Sequence, residues 1–400
     1  MESSASYSSS YFSYSIWHGP ASFHTVTPLG RFIWTTIAVV IISTSLVGNI
    51  MIIWIVMSNS RTRSVTNFFL TNLAVADVLK ATLDMPILYS HILTQNWTFG
   101  ALACKGIRFV GNLTAAASIL SLIAVTIDRY RAIVYPFLPR LGKRMVCFGI
   151  CIIWSVSAIW ASPNIMFGNL LEETTDSSGN QTTKCILFWP TTAEDDHAVY
   201  GFYDFCYNVS TFILMYVTPL AVMAVCYYII ATRLWVNTSP GEEVPNRTRQ
   251  TKAKRKVVKM LVIVIVLFGI CWLPIHVYQF LAFLAPEVYQ QHFSIHMYLF
   301  VWWLAMSSSV YNPFIYYWLN DRFRYGFHRI FRFLLPCIRF RRMRLCTIPQ
   351  ECVPAPLSKR LQNCSSNTLA SQRSQSNFLL PTATSSGNES AIDENQEQNV

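Results

Sequence analysis

Leu113–Tyr130 reads LTAAASILSLIAVTIDRY, fifteen residues without a charge followed by Asp128-Arg129-Tyr130. Extended back to Leu102 and on to Val134, such a run is long enough to cross a hydrocarbon core of about 30 Å as a helix. The charged triplet then marks where the chain leaves the lipid. Six more stretches have the same character: Ile33–Met57, Asn67–Ile92, Met145–Phe167, Phe202–Trp235, Ala253–Leu284 and Phe293–Leu319. Seven crossings predict an all-α fold, a seven-transmembrane-helix bundle. The expected organisation is an extracellular tail over 1–32, the bundle over 33–319, a short amphipathic membrane-surface helix over 320–335 and a largely disordered cytoplasmic tail over 336–400.

Composition agrees. Charged residues make up 13% of the chain and hydrophobic ones 52%, where a soluble protein carries about a quarter charged residues. The net charge of +11 does not point to nucleic acid, because the basic residues lie between the apolar runs and just after the last one. They suit a membrane surface instead. Arg61, Arg63, Arg140, Lys143, Arg144, Arg249, Lys252, Lys254, Arg255 and Lys256 mark cytoplasmic loops, whereas Glu172, Glu173, Asp176, Glu194, Asp195, Asp196 and Glu287 fall in the alternate ones. That asymmetry puts the amino terminus outside and the carboxyl terminus inside. The first thirty residues show no cleavable secretion signal, so the first apolar segment is expected to direct insertion. The glycosylation triplets at Asn96 and Asn180 fall in loops placed outside. Most of the eleven cysteines lie inside apolar runs. Cys104 and Cys185 lie on the oxidising side and are expected to form a disulfide that pins the long loop over the bundle mouth.

Polar groups within a span need a partner or water, so each is a potential site. Asp77 leads, with Asn49, Ser118, Ser308, Ser309 and Asn312 as companions from other spans. They fit either a small cation or water cluster, sodium being the ion to consider, or a plain interhelix hydrogen-bond network. Lys80 is the least expected residue. Helical spacing lets it pair with Asp77 or Asp84, which leaves an internal ion pair, the preferred reading, and a direct ligand contact both open. At the inner end, Asp128 is positioned to hold Arg129. Pro219, Pro274 and Pro313 interrupt helix hydrogen bonding and supply kinks.

Taken in order from Gly48-Asn49 to Phe333, these landmarks resemble the rhodopsin-like class of G-protein-coupled receptors. Phe137-Leu138-Pro139-Arg140-Leu141, Lys254-Arg255-Lys256-Val257-Val258-Lys259-Met260, Cys271-Trp272-Leu273-Pro274-Ile275-His276, Trp303-Leu304-Ala305-Met306-Ser307-Ser308 and Asn320-Asp321-Arg322-Phe323-Arg324 look like the tachykinin-type neuropeptide receptors. The resemblance implies an amidated extracellular peptide as ligand and a heterotrimeric G protein as partner, commonly one that activates phospholipase C and raises calcium. It also implies Asp128, Arg129, Tyr130, Tyr227, Phe268, Trp272, Pro274, Asn312, Pro313 and Tyr316 as coupling and switch residues. Asp84, Arg108, Asn164, Asn208, His276, Gln279, Tyr298 and Trp302 are then expected to serve the ligand. Asp84, Leu88 and Arg108 depart from the amide-bearing residues more common there in the vertebrate receptors, and Asp77 replaces a glutamate; invertebrate members, whose peptides often end in arginine amide, resemble the chain better.

After the bundle, Phe323, Phe327, Ile330, Phe331 and Leu334 form an apolar face among Arg322, Arg324, Arg329 and Arg332, as a helix lying on an anionic leaflet would. Cys337 is a palmitoylation candidate. Receptor kinases and arrestin are expected partners for the Ser- and Thr-rich tail. The rivals are a receptor for neuropeptide Y-like or leucokinin-like peptides and, more remotely, a transporter, for which no internal repeat is seen. A zinc site at His292 and His296 lacks further ligands. No lysine lies between Lys259 and Lys359, which excludes retinal Schiff-base chemistry in the seventh span. No enzymatic activity is expected.

Overall fold

A computed structural model describes residues 26–58, 62–139, 141–173, 182–189, 197–235, 245–285 and 293–334. Asn180, His292, Cys337 and the two chain ends, 1–25 and 335–400, lie outside the described residues. The first helix, Pro28–Ser58, opens with Thr27 accepting a hydrogen bond from the Gly30 amide and with proline at its first position, a favourable start. The second opens on Ser64, whose hydroxyl accepts from the Asn67 amide. It runs as Val65–Leu79, a π-helical turn over Lys80–Asp84, and Met85–Thr94. Pro86 explains the wide turn. It has no N–H to give Thr82, and its ring crowds that carbonyl, so the helix takes up an extra residue just before it. The fifth helix repeats the device, with a π-helical stretch over Phe212–Val217 between His197–Thr211 and Thr218–Trp235, just ahead of Pro219.

The remaining spans are Gly100–Val134, Lys143–Phe167, Pro245–Leu284 and Ser294–Leu319. Five of the seven are long and apolar enough to cross a membrane by length and composition alone. The second is divided by its π turn and carries Asp77, Lys80 and Asp84. The seventh is uninterrupted, but Trp, Tyr, Ser and Asn dilute its apolar content. Large apolar side chains face outward, among them Trp54, Ile159, Tyr228 and Phe300, while Asn49, Asp77, Ser118 and Asn312 are buried. This is the distribution expected of a bundle solvated by lipid.

One element departs from the all-helical expectation. Between the fourth and fifth spans, β1 (Gly168–Glu173) and β2 (Thr182–Leu187) pair antiparallel, with Leu170 opposite Cys185. The Cys104–Cys185 disulfide ties β2 to the third helix, and the Trp97 amide donates to the Thr183 carbonyl at 2.7 Å. The hairpin is thus held at the end of the bundle called here the mouth.

Gly48 sets the approach of the first and seventh spans. A Cβ there would lie 2.7 Å from Cγ of Pro313, closer than packed atoms tolerate. Beside this contact Ser45 donates to Ser309 Oγ, and Asn49 donates to the Ser309 carbonyl at 3.1 Å. Gly48→Val is expected to destabilise the bundle by about 1–3 kcal/mol through overpacking, read as a lower unfolding midpoint of the purified protein. Past the seventh span, helix Asp321–Leu334 buries Phe323 and Phe327. Phe323 lies against Tyr316, and Gly326 against Ile55.

Candidate functional site

At the mouth, the π turn rotates Asp84 relative to the helix below it, and the carboxylate is buried against the third span. Asp84 Oδ1 lies 2.5 Å from where a Cβ on Gly111 would stand, so only glycine leaves it room. That oxygen is buried and has no hydrogen-bond partner among the described residues. Arg108, one turn nearer the mouth on the third span, lies within electrostatic reach of Asp84, Asp204, Tyr207 and Tyr298. Asp204 is buried and accepts from Trp189 Nε1 at 2.5 Å. A half-buried guanidinium is therefore surrounded by two acids and two phenols from the second, fifth and seventh spans.

The other expected ligand residues line or support this region. Asn164 donates to the Tyr207 hydroxyl at 3.3 Å and accepts from Asn112, and Asn208 donates to the Asp204 carbonyl. Both hold the wall of the site. Tyr298 stacks obliquely on Tyr278 at 5.5 Å, and Trp302 is buried edge-on against Trp303. His276 is buried among Phe212, Tyr216 and Trp272, with Gln279 as its side-chain hydrogen-bond partner. Tyr216 in turn donates to the Gly269 carbonyl at 2.7 Å, tying the fifth span to the sixth just below Pro274.

Below this layer Trp272 stacks on Phe268 at 5.6 Å and donates Nε1–H to Ser308 Oγ at 3.1 Å. Asp77 accepts from Asn312 at 3.1 Å and, through a long contact of 3.5 Å, from Ser118. Asn49, expected beside Asp77, turns instead to Ser45 and Ser309. A cavity of about 20 Å³ opens between Asp77, Lys80, Ser118, Trp272, Ser308 and Asn312, room for one water. Lys80 is buried and its ammonium stands 5.3 Å from the centre of the Trp272 ring, with Asp77 and Asp84 both within electrostatic reach. These residues fit a dissociable sodium ion poorly. One carboxylate oxygen is already taken by an amide, and a fixed ammonium lines the same small space.

At the opposite end Arg129 donates to Asp128 at 2.6 Å. Thr66 of the second span donates to the same carboxylate oxygen at 2.5 Å and accepts from Arg129. Tyr130 lies edge-on to Tyr135 at 5.9 Å. Tyr227 is buried in contact with Thr126. The Tyr316 hydroxyl is buried with no hydrogen-bond partner among the described residues. Sequence reasoning overlooked Thr66, and with it the set Asn72, Ser121 and Trp154, where Asn72 donates to Ser121 and accepts from Trp154. It also overlooked Asp204 and Trp189. Their only advance signal was a carboxylate near the mouth end of the fifth apolar run. Asn96 is half-buried, and its side-chain oxygen accepts from the Thr183 amide.

The profile of the family described as 7 transmembrane receptor (rhodopsin family) matches residues 48–316. Tachykinin-like peptides receptor 99D of Drosophila melanogaster is 37% identical over 317 residues, covering 78% of this chain and 60% of that receptor. The human Substance-P receptor is 37% identical over 300 residues, 75% of this chain and 71% of the relative. Tachykinin-like peptides receptor 86C of Drosophila melanogaster is 35% identical over 300 residues, 75% and 58%. The alignments thus span about 60% of the length of the two fly receptors.

Proposed function

We propose, from the premise that this chain belongs to the rhodopsin family of seven-transmembrane receptors, that it binds an amidated tachykinin-like peptide at its mouth and activates a heterotrimeric G protein at the Arg129 end. The chain is a multi-pass plasma-membrane receptor and not an enzyme. The single observation that carries the peptide reading is the polar mouth centred on Arg108 and faced by Asp84, Asp204, Tyr207 and Tyr298 from three spans. The guanidinium suits carbonyl oxygens of a peptide end. Asp84 Oδ1, buried and without a hydrogen-bond partner, suits a donor such as a terminal amide or a basic side chain.

Signal transfer follows from the contacts. A ligand pressing on His276 shifts the ring that lies beside Trp272, and Trp272 is bonded to Ser308 of the seventh span. Pro274 and Pro313 weaken the helices where that displacement must be taken up. Movement of the sixth span at the other end would open space beside Arg129 for a G-protein segment, with phospholipase C and calcium as the expected output. The amino terminus lies outside in this reading, glycans at Asn96 and Asn180 share that side, and palmitate on Cys337, receptor kinases and arrestin act on the other. The helix Asp321–Leu334 rests on lipid.

The test is a panel of amidated peptides applied to cells displaying the receptor, with calcium and cyclic AMP as readouts. At least one tachykinin-like peptide should evoke calcium release; silence toward every amidated peptide would overturn the assignment. Asp84→Asn should then lower potency about tenfold or more, the scale of losing one hydrogen bond to a charged group. Unchanged potency in both Asp84→Asn and Lys80→Met would remove these two residues from ligand recognition.

A further inference from the structure

The cavity under the mouth contains its own cation. We propose that the Lys80 ammonium is the resident positive charge of the Asp77 cavity, standing where a dissociable sodium ion would otherwise balance that carboxylate, so that this receptor does not respond to sodium.

Three observations converge on this. First, Lys80 is buried at 4% exposure in the interior of the bundle, and a buried ammonium persists in such a place only with compensating charge. Lys80 opens the π turn that ends on Asp84, with Asp77 three residues before it, and both carboxylates act on the ammonium, Asp84 the more strongly. Second, its charged end is directed inward, standing over the face of Trp272; the ring quadrupole supplies attraction there without a full ion pair. Third, the cavity of about 20 Å³ has one carboxylate, hydroxyls and an amide for donors. Asp77 Oδ2 is engaged by Asn312 and Oδ1 faces Ser118. A second monovalent cation would gain one shared carboxylate while meeting a like charge at close range in a poorly solvated space.

The arrangement has a mechanical consequence. A dissociable ion reports the salt outside the cell, whereas a tethered one reports the rotamer of its own side chain. Because Lys80 touches the ring that bridges to Ser308, the charge balance of Asp77 is linked to the position of Trp272 by a covalent arm. Displacement of Trp272 removes the ring from the ammonium and leaves Lys80 to the two carboxylates, Asp84 and Asp77, that already act on it.

The test needs no ligand, so its outcome is separate from the peptide assignment. Purified receptor is unfolded thermally in sodium chloride and in N-methylglucamine chloride at equal ionic strength. The wild-type midpoint should be the same in both salts. Lys80→Met should acquire a saturable rise of about 2–4 °C specific to sodium, at sodium about tenfold above its dissociation constant. Lys80→Arg should remain insensitive, and adding Asp77→Asn to Lys80→Met should abolish the acquired response. A saturable sodium-specific rise in the wild-type protein would overturn the proposal without any variant having to fold. A well-folded Lys80→Met that ignores sodium would overturn it as well, since the cavity would then be unfit for the ion for reasons unconnected with Lys80.

Discussion

Arg129→Ala should lower ligand-stimulated nucleotide exchange on the G protein by about 100-fold or more, while leaving peptide binding within about threefold. The magnitude follows from Arg129 being held half-buried beside Asp128 at this end, since an arginine anchor in a macromolecular interface carries about 2 kcal/mol or more. Binding is spared because the mouth residues lie a full span away. The opposite change isolates the restraint. Arg129 is bound by Asp128 at 2.6 Å, with the carboxylate side chain only 12% exposed, and Thr66 closes the triangle. A partly buried charge-assisted contact of this kind is stronger than a surface ion pair. Asp128→Asn removes its charge at little cost in shape, and about 1.5 kcal/mol of lost restraint corresponds to roughly a tenfold rise in the fraction of molecules with Arg129 released. Basal exchange without ligand should therefore rise in Asp128→Asn, and less so in Thr66→Val, which keeps the ion pair. Normal stimulated exchange in Arg129→Ala, or an unaltered basal rate in Asp128→Asn, would refute the assignment of this end as the output.

The seven crossings were legible because lipid imposes one rule on every residue of a span, and an apolar run of sufficient length obeys it visibly. The second and seventh were counted on the same ground although their signal is weaker, since Asp77, Lys80 and Asp84 in one and the dense Trp, Tyr and Ser content of the other lower it. Asp77 with Asn312 and Ser118 could be grouped from sequence because buried polar residues seek each other. The choice of partner was less accessible. Asn49 goes to Ser309 because Gly48 admits Pro313, a steric detail of two helices that no periodicity records. Thr66 was invisible for a simpler reason. A threonine near a helix start bonds most often to its own backbone, and nothing in its neighbours reveals Asp128 across the gap. The π turn had a cause in the sequence, Pro86, but proline predicts a disturbance without specifying its form. The hairpin at the mouth was hidden because its two strands are six residues each and β2 is held in place by the disulfide and by Trp97, which no alternating apolar pattern announces.

That hairpin sets the second large effect. Cys104→Ser and Cys185→Ser should each lower peptide affinity by more than about 100-fold and sharply reduce display at the cell surface. The bond closes a sequence separation of 81 residues, which in the chain-entropy account is worth about 4.5 kcal/mol by constraining the unfolded chain. Without it, β2 keeps the Trp97 and Asn96 contacts with Thr183 and the bond from Phe188 N–H to the Phe167 carbonyl, neutral hydrogen bonds each contributing about 1 kcal/mol. They sit at the aqueous end, where water competes. Cys104 and Cys185 are both buried, and Trp97 packs against them, so losing the bond also unsettles the start of the third helix, on which Arg108 is carried one turn further along. The two cysteines act as a unit, which makes the result sharper than a simple loss. The double variant should be no worse than either single one, because the second substitution removes nothing that remains. Additive losses in the double variant would mean that each thiol contributes packing of its own and that the covalent link is not what holds the mouth in shape. Radioligand saturation on intact cells, alongside antibody counts of surface receptor, separates the loss of affinity from the loss of display.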